Sequence, residues 1–305
     1  MAKNKTVVYA AFVANAIIAV TKFVAAGITG SSAMFSEAIH SVVDSGNQLL
    51  LLYGMHASQR PPDRQHPFGY SAEIYFWAFV VAILIFAVGS GLSFYEGFLQ
   101  ISAPHPITNS GISYAVLIAA LLIESAAWYI AFRAIQRQMV EDGTKQSFLV
   151  AVRQSKDPAI FTVLLEDTAA CIGLIIALIG IYIADTYDMP VFDGIASIAI
   201  GFLLALVAVF LAYETKALLS GESAGQHVID GIRNAIRLNS AIIRCHELNT
   251  MHLGPTHVIV SIVAEFEDRM TTPEIEASIA ELEAEIQRRF PTVKTIAVEP
   301  ATGPD

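Results

Sequence analysis

The sequence predicts an α-helical membrane protein: six transmembrane helices followed by a small α+β domain of αββαβ order, ferredoxin-like or heavy-metal-domain-like in arrangement. Three observations carry that prediction. The 305-residue chain is 54% hydrophobic and only 15% charged, with a mean hydropathy of +0.55, too apolar for a soluble core of this length. Its apolar residues fall in runs of about 20, the length a helix needs to cross hydrocarbon. After Lys216 the long runs stop and charged residues become frequent.

The runs occupy 6–29, 33–56, 72–98, 111–134, 159–184 and 190–214. The first lacks the short apolar core and small-residue cleavage site of a secretory leader and contains Lys22, so it is expected to be a retained span. Orientation follows from the basic residues. Lys3 and Lys5 precede span 1, Arg60 and Arg64 follow span 2, Arg133, Arg137, Lys145, Arg153 and Lys156 lie at or between spans 4 and 5, and Lys216 ends span 6. The connections 29–32, 99–110 and 185–190 hold no Lys or Arg. Cytoplasmic loops retain these residues, so both termini are expected in the cytoplasm, which an even number of spans requires. With no organellar presequence in view, a prokaryotic cell (inner) membrane is the expected location.

The net charge of −10 and the lack of a basic stripe argue against a nucleic-acid partner. Only Cys171 and Cys245 occur, one in a span and one in the tail, so neither a disulfide framework nor a cysteine-based zinc site is available.

The transmembrane part is taken as 1–218 and the cytoplasmic tail as 219–305. In the tail, Val228, Ile229, Ile232 and Ile236 have helical spacing, and 242–248 and 257–266 are β-prone runs joined through Leu253-Gly254-Pro255-Thr256. Thr272-Pro273-Glu274 opens a second helix with its apolar face at Ile275, Ile279, Leu282, Ile286 and Phe290. Pro291 stops it, and 293–298 returns as a third strand. Two helices on one face of a small open sheet are expected, in a thin domain of a kind that commonly dimerises.

Ionisable groups inside the spans cost several kcal/mol unless they meet a partner, so each is a functional candidate. His40 and Asp44 are four apart on span 2, one turn apart on one face, and suit a shared ion. Span 5 carries Glu166 and Asp167, about 100° apart around the helix. Asp167 is expected to face the ion, with Glu166 flanking it or pairing with Lys22. Cys171, one turn beyond Asp167, reads more readily as a small hydrophobe than as a soft ligand. Glu37 lies one turn before His40, Glu124 sits in span 4 as a relay or a partner for Lys22, and Asp193 opens span 6, where it suits the positive end of the helix dipole. One imidazole with two or three carboxylates suits a hard-to-borderline divalent ion: Zn²⁺ at about four N/O ligands, Mn²⁺ or Fe²⁺ with more oxygens.

These residues resemble the cation diffusion facilitator family, the zinc-transporter superfamily of proton-coupled metal exporters. The likeness covers nearly the whole chain: Gly30-Ser31-Ser32-Ala33 before span 2, His40-x-x-x-Asp44, the loop His66-Pro67-Phe68-Gly69-Tyr70, Asp193-Gly194-Ile195-Ala196-Ser197 at span 6 and Gly254-Pro255-Thr256 between strands. Family members usually place His or Asp four residues before the span 5 Asp; here Val163 stands in that position. Lys156-Asp157-Pro158 and Glu166-Asp167 are similar to the branch that includes the mitochondrial zinc transporter of animals, with Glu166 or water completing the ligands.

The resemblance implies a homodimer in lipid that exports Zn²⁺ as its transported substrate in exchange for protons by alternating access, with no organic cofactor. It also implies accessory metal positions at Asp63 and His66, where Tyr70 replaces a third ligand, and at His246 and Glu299 in the tail. His252 and His257 flank the strand turn as a further candidate pair, surface solvation being their plainer reading. The rivals are a Mn²⁺, Fe²⁺ or Co²⁺ transporter, a membrane-embedded metalloenzyme using metal-bound water, and a non-transporting metal sensor. No His-Glu-x-x-His supports an enzyme.

Overall fold

The computed structural model describes residues 2–141 and 156–301. Of the basic residues used for orientation, Lys145 and Arg153 lie outside the described residues. The described chain begins with seven helices: α1 Ala2–Thr29, α2 Ser32–Ala57, α3 Glu73–Leu84, α4 Gly91–Ser102, α5 Ser110–Glu141, α6 Pro158–Thr186 and α7 Val191–Leu219. A π-helical segment, Ile85–Ser90, joins α3 to α4, so Glu73–Ser102 runs as one 30-residue rod. Such single π turns let one helix shift its facing register without breaking.

Among the described residues, four helices are long and apolar enough to cross a membrane: Glu73–Ser102, Ser110–Arg133, Pro158–Thr186 and Val191–Leu219. Asn15–Thr29 of α1 forms a shorter apolar stretch. The 26-residue α2 has the length but not the composition, because it carries Glu37, His40, Asp44, Asn47 and Gln48. A helix that polar is stable in hydrocarbon only with its polar groups turned to protein partners. The apolar faces behave accordingly: Ile17, Val20, Val24 and Ile28 recur every three or four residues along α1 and are all exposed, as a lipid-facing stripe would be.

The chain divides into two compact units. The first takes in most of α1 to α7. Inside it, α4 and α7 cross at paired glycines: a Cβ on Gly97 would lie 2.7 Å from the Gly194 carbonyl oxygen, and one on Gly194 2.9 Å from that of Gly97. Only glycine permits so close an approach, the usual route to tight helix pairs where lipid leaves no hydrophobic drive between helices.

The second unit holds residues 55–76 and the C-terminal elements: α8 Gln226–Leu238, β1 Ile242–Gly254, β2 His257–Phe266, α9 Thr272–Arg289 and β3 Val293–Pro300. The sheet order is β1-β2-β3, with β1 antiparallel and β3 parallel to β2. Every second residue of β2, Val258, Val260, Ile262, Ala264 and Phe266, is buried against Val228, Ile232 and Ile236 of α8 and Leu282 and Ile286 of α9. That is the period-two strand and period-3.6 helix pattern of the sequence folded onto one core. Strand β1 runs six residues past the expected 248, carried on by pairing of Asn249 to His252 with Ser261 to Val258. Gly254 ends it where the backbone of Ser71 comes within 2.7 Å of a would-be Cβ.

Helix α9 begins with a reciprocal capping box: the Glu274 carboxylate accepts from the Thr271 amide at 2.7 Å and hydroxyl at 2.8 Å. These two bonds, the amide's first, hold the Glu274 carboxyl below its ordinary value of 4.5. A depressed folded value adds stability above the unfolded value and loses it as pH falls through the folded one. Glu274→Ala is therefore expected to lower the unfolding temperature at neutral pH, with the difference from the parent shrinking below about pH 4.5, checked by thermal melts across that range.

Candidate metal site in the membrane helices

Helix α2 carries the candidate site, and its start is fixed from another helix. Ser31 caps α2 by accepting the Met34 amide at 3.1 Å, and the Ser31 hydroxyl donates to Asp193 Oδ1 at 2.6 Å. The same carboxylate accepts the α2 backbone amides of Ser32 at 2.6 Å and Ala33 at 3.2 Å. Asp193, in the first turn of α7 as its sequence position suggests, also serves the N-terminus of α2. One turn along, Ser36 and Ser197 hydroxyls meet at 2.6 Å, and Ser197 donates to the Ser93 carbonyl. Helix α2 is pinned to α7 at two successive levels.

Below those pins the polar face turns inward. Glu37 and His40 are buried, and His40 Nδ1 stands 3.3 Å from Asp44 Oδ1 without hydrogen-bond alignment. Both ring nitrogens of His40 and Oδ1 of Asp44 are buried and unpartnered. Buried polar atoms are normally paired, so lone pairs left free side by side fit a ligand set for a cation. Asp44 also lines a cavity of about 10 Å³ together with Asn15, Ser41, Gln48, Glu124, Val163, Glu166 and Asp167, room for about one water or one ion.

The structure therefore brings Asp44, Glu166, Asp167 and Glu124 to one cavity from three helices, with His40 beside Asp44. It does not close them into a finished ligand cage: among the described residues no three His, Cys, Asp or Glu side chains come together tightly enough to hold a metal. The reason is local. Glu166 Oε1 accepts from Asn47 Nδ2 at 2.8 Å, which draws it aside. Val163 lines the cavity at the position where a ligand would otherwise stand.

Lys22 selects neither Glu166 nor Glu124. Its ammonium is fully buried, 3.1 Å from Glu37 Oε2 and 2.8 Å from Ser41 Oγ. Glu37 Oε1 lies against Gly173 of α6, where a Cβ would collide with it. Gly173→Ala should force this pair apart and destabilise the protein by about 1–3 kcal/mol, the range for overpacking a tight interior; thermal unfolding in detergent checks this. Cys171 meets Ser125 rather than the cavity, with sulfur to oxygen at 3.8 Å. Asn47 and Ser41 were missed as site residues, although Asn47 follows His40 and Asp44 at seven and three residues, on the same helical face.

A family model for the cation efflux transmembrane domain matches residues 8–220. The chain belongs to the cation efflux family. Members are transporters, not enzymes. The chain is 33% identical to the proton-coupled zinc antiporter SLC30A9, mitochondrial, of Mus musculus over 87% of its own length and 47% of that protein's. It is 30% identical to metal tolerance protein C4 of Arabidopsis thaliana over 79% of this chain and 52% of that one. With the manganese efflux system protein MneP of Bacillus subtilis the identity is 24%, over 97% of this chain and 95% of the other. The chain spans about half the length of the mouse and plant relatives.

Of the positions read as accessory sites by likeness to the cation efflux family, Asp63 is held in structural bonds. Asp63 accepts the amides of Gln65 and His66 on one oxygen and the Tyr70 hydroxyl, at 2.7 Å, on the other. The Tyr70 bond, first among these, holds the Asp63 carboxyl below its ordinary range. His66 Nδ1 is 3.6 Å away, with its ring against Tyr70. In the tail, His246 Nε2 is buried without a hydrogen-bond partner, 3.5 Å from Glu265 Oε2, and Glu299 of β3 lies opposite Val263 of β2. His252 is buried rather than solvated: its Nδ1 is 3.2 Å from the Gly254 carbonyl, and burial lowers its basicity. His257 contacts Ser71 and Thr295 at 3.4 Å.

Proposed function

We propose that the protein exports a divalent metal cation, Zn²⁺ first, in exchange for protons, using His40, Asp44 and Asp167 with Glu166 as the adjustable fourth ligand. The observation that carries this reading is the group of unpartnered His40 and Asp44 atoms beside a one-ion cavity that Glu166 and Asp167 also line. An imidazole with carboxylates offers nitrogen and oxygen donors in the number a tetrahedral zinc takes. Metal and protons compete for these same lone pairs, so protonation from the far side releases the ion and deprotonation on the cytoplasmic side restores the site. The name of the mouse relative supports zinc and proton coupling.

A homodimer in the cell membrane of a prokaryote, with both termini cytoplasmic, alternating access of six spans and a tail from about residue 219, completes the proposal. The basic residues at the 60–64 and 133–156 connections support that orientation. A manganese reading has its own support, in a carboxylate-rich cavity and likeness to a manganese efflux protein.

The test is flux in proteoliposomes with Zn²⁺, Mn²⁺, Fe²⁺, Co²⁺ and Cd²⁺, with and without a pH gradient. Zinc uptake that rises with the gradient is expected. Manganese flux exceeding zinc flux would replace the substrate, and zinc flux indifferent to the gradient would remove the proton.

A further inference from the structure

Glu37 and Lys22 form a buried pair that the proposed ligand set does not use. On α2, Glu37, His40 and Asp44 follow one another at about one turn, some 5 Å apart along the axis, on one face. Each presents unpaired buried atoms: Glu37 Oε1, both nitrogens of His40, and Asp44 Oδ1. They make a column of free ligand atoms leading from the cavity toward the Ser32 end of α2, away from the Arg60 and Arg64 connection. At the top of the column the Glu37 carboxylate has a cation already. It is the Lys22 ammonium, at 3.1 Å, the one buried Lys or Arg among the described residues.

That ammonium is on a flexible stem and has three protons, of which two are used, toward Glu37 and Ser41. Ser41 also lines the cavity with Asp44, so the head is one hydroxyl away from the proposed metal ligands. A compact monovalent charge that sits on one oxygen of a carboxylate, leaving the other without a hydrogen-bond partner about one helical turn from an unpaired imidazole, stands where a divalent ion would bind.

We propose that Glu37 and His40 form a second site for a divalent cation, one turn along α2 from the first, which the Lys22 ammonium occupies until a passing ion displaces it. His40, with both ring nitrogens unpaired, serves both. The site rests on the export reading above and deepens it, giving the leaving ion a carboxylate on its way out and Lys22 the role of an internal competitor.

The test counts zinc bound to full-length protein in detergent by native mass spectrometry, alongside flux in proteoliposomes. Lys22→Met is expected to bind one more Zn²⁺ per chain than the parent, and Lys22→Met with Glu37→Gln to lose it again. Glu37→Gln alone is expected to keep the parent's zinc count while flux falls about tenfold, a loss of transport without a loss of stoichiometry. Lys22→Gln serves in the same way should the methionine variant not fold. An unchanged count in a folded Lys22 variant, or full flux in Glu37→Gln, would overturn the proposal, since a purely structural pair alters stability and not stoichiometry. Counting is independent of transport, so a parent that binds zinc without flux would defeat the export reading and leave the second site standing or falling on its own numbers.

Discussion

Asp44→Ala is expected to abolish zinc flux and to weaken zinc binding by more than about a hundredfold, because even groups that only orient a metal ligand are worth roughly 10–100-fold. Asp44 is the side chain that joins the two halves of the site. Its Oδ1 stands 3.3 Å from His40 Nδ1, and the same residue lines the cavity shared with Glu166 and Asp167. Alanine removes the carboxylate and leaves the imidazole facing methyl. Asp167→Ala should also stop transport, with a smaller loss of affinity, since Glu166 and Glu124 line the cavity beside it and can take part of the charge. Isothermal titration and liposome flux on the same preparations separate the two variants, and Glu166→Gln should fall between Asp167→Ala and the parent.

Asp193→Ala is expected to cost about 3–5 kcal/mol of stability and to lower flux at least about tenfold, although Asp193 is no metal ligand in this account. Its carboxylate accepts three buried donors, the Ser31 hydroxyl and the amides of Ser32 and Ala33. Each donor stranded in a protein interior costs about 1–3 kcal/mol, and in lipid there is no water to repair the loss. The helix end released is the one that carries Glu37, His40 and Asp44. Asp193→Asn keeps one acceptor oxygen but sets an NH₂ against a donor, so its unfolding temperature should lie between those of the alanine variant and the parent. Equal melting temperatures for Asp193→Ala and the parent would show that α2 is anchored by something else.

How far the sequence could be read depends on the distance over which each feature is encoded. The αββαβ order of the tail is local: alternation in 258–266, the Thr272-Pro273-Glu274 start and the helical spacing of Leu282 and Ile286 each act within a few residues, and the structure follows them. The pairing of His40 with Asp44 is equally local, one turn on one helix. Partners drawn from different helices were not legible. The sequence offers Lys22 two carboxylates, Glu166 and Glu124, and the choice of Glu37 instead depends on how α1 packs on α2. Asp193 serves amides about 160 positions away in sequence, a relation no spacing encodes. Four spans are explicit in composition, whereas α2, read from the sequence as the run 33–56, is a more polar helix. Asn47 shows the reverse case: its position on the His40 and Asp44 face was visible, but only the structure gives it Glu166 to hold.

X-ray absorption at the zinc edge, on zinc-loaded protein and on Asp44→Ala prepared identically, tests the central assignment most directly. A nitrogen and oxygen shell at about 2.0–2.1 Å with an imidazole signature, no sulfur at about 2.3 Å, and loss of that zinc in the variant are expected. Sulfur scattering in the first shell, which would bring in Cys171 or Cys245, or a zinc signal undiminished by Asp44→Ala, would contradict it.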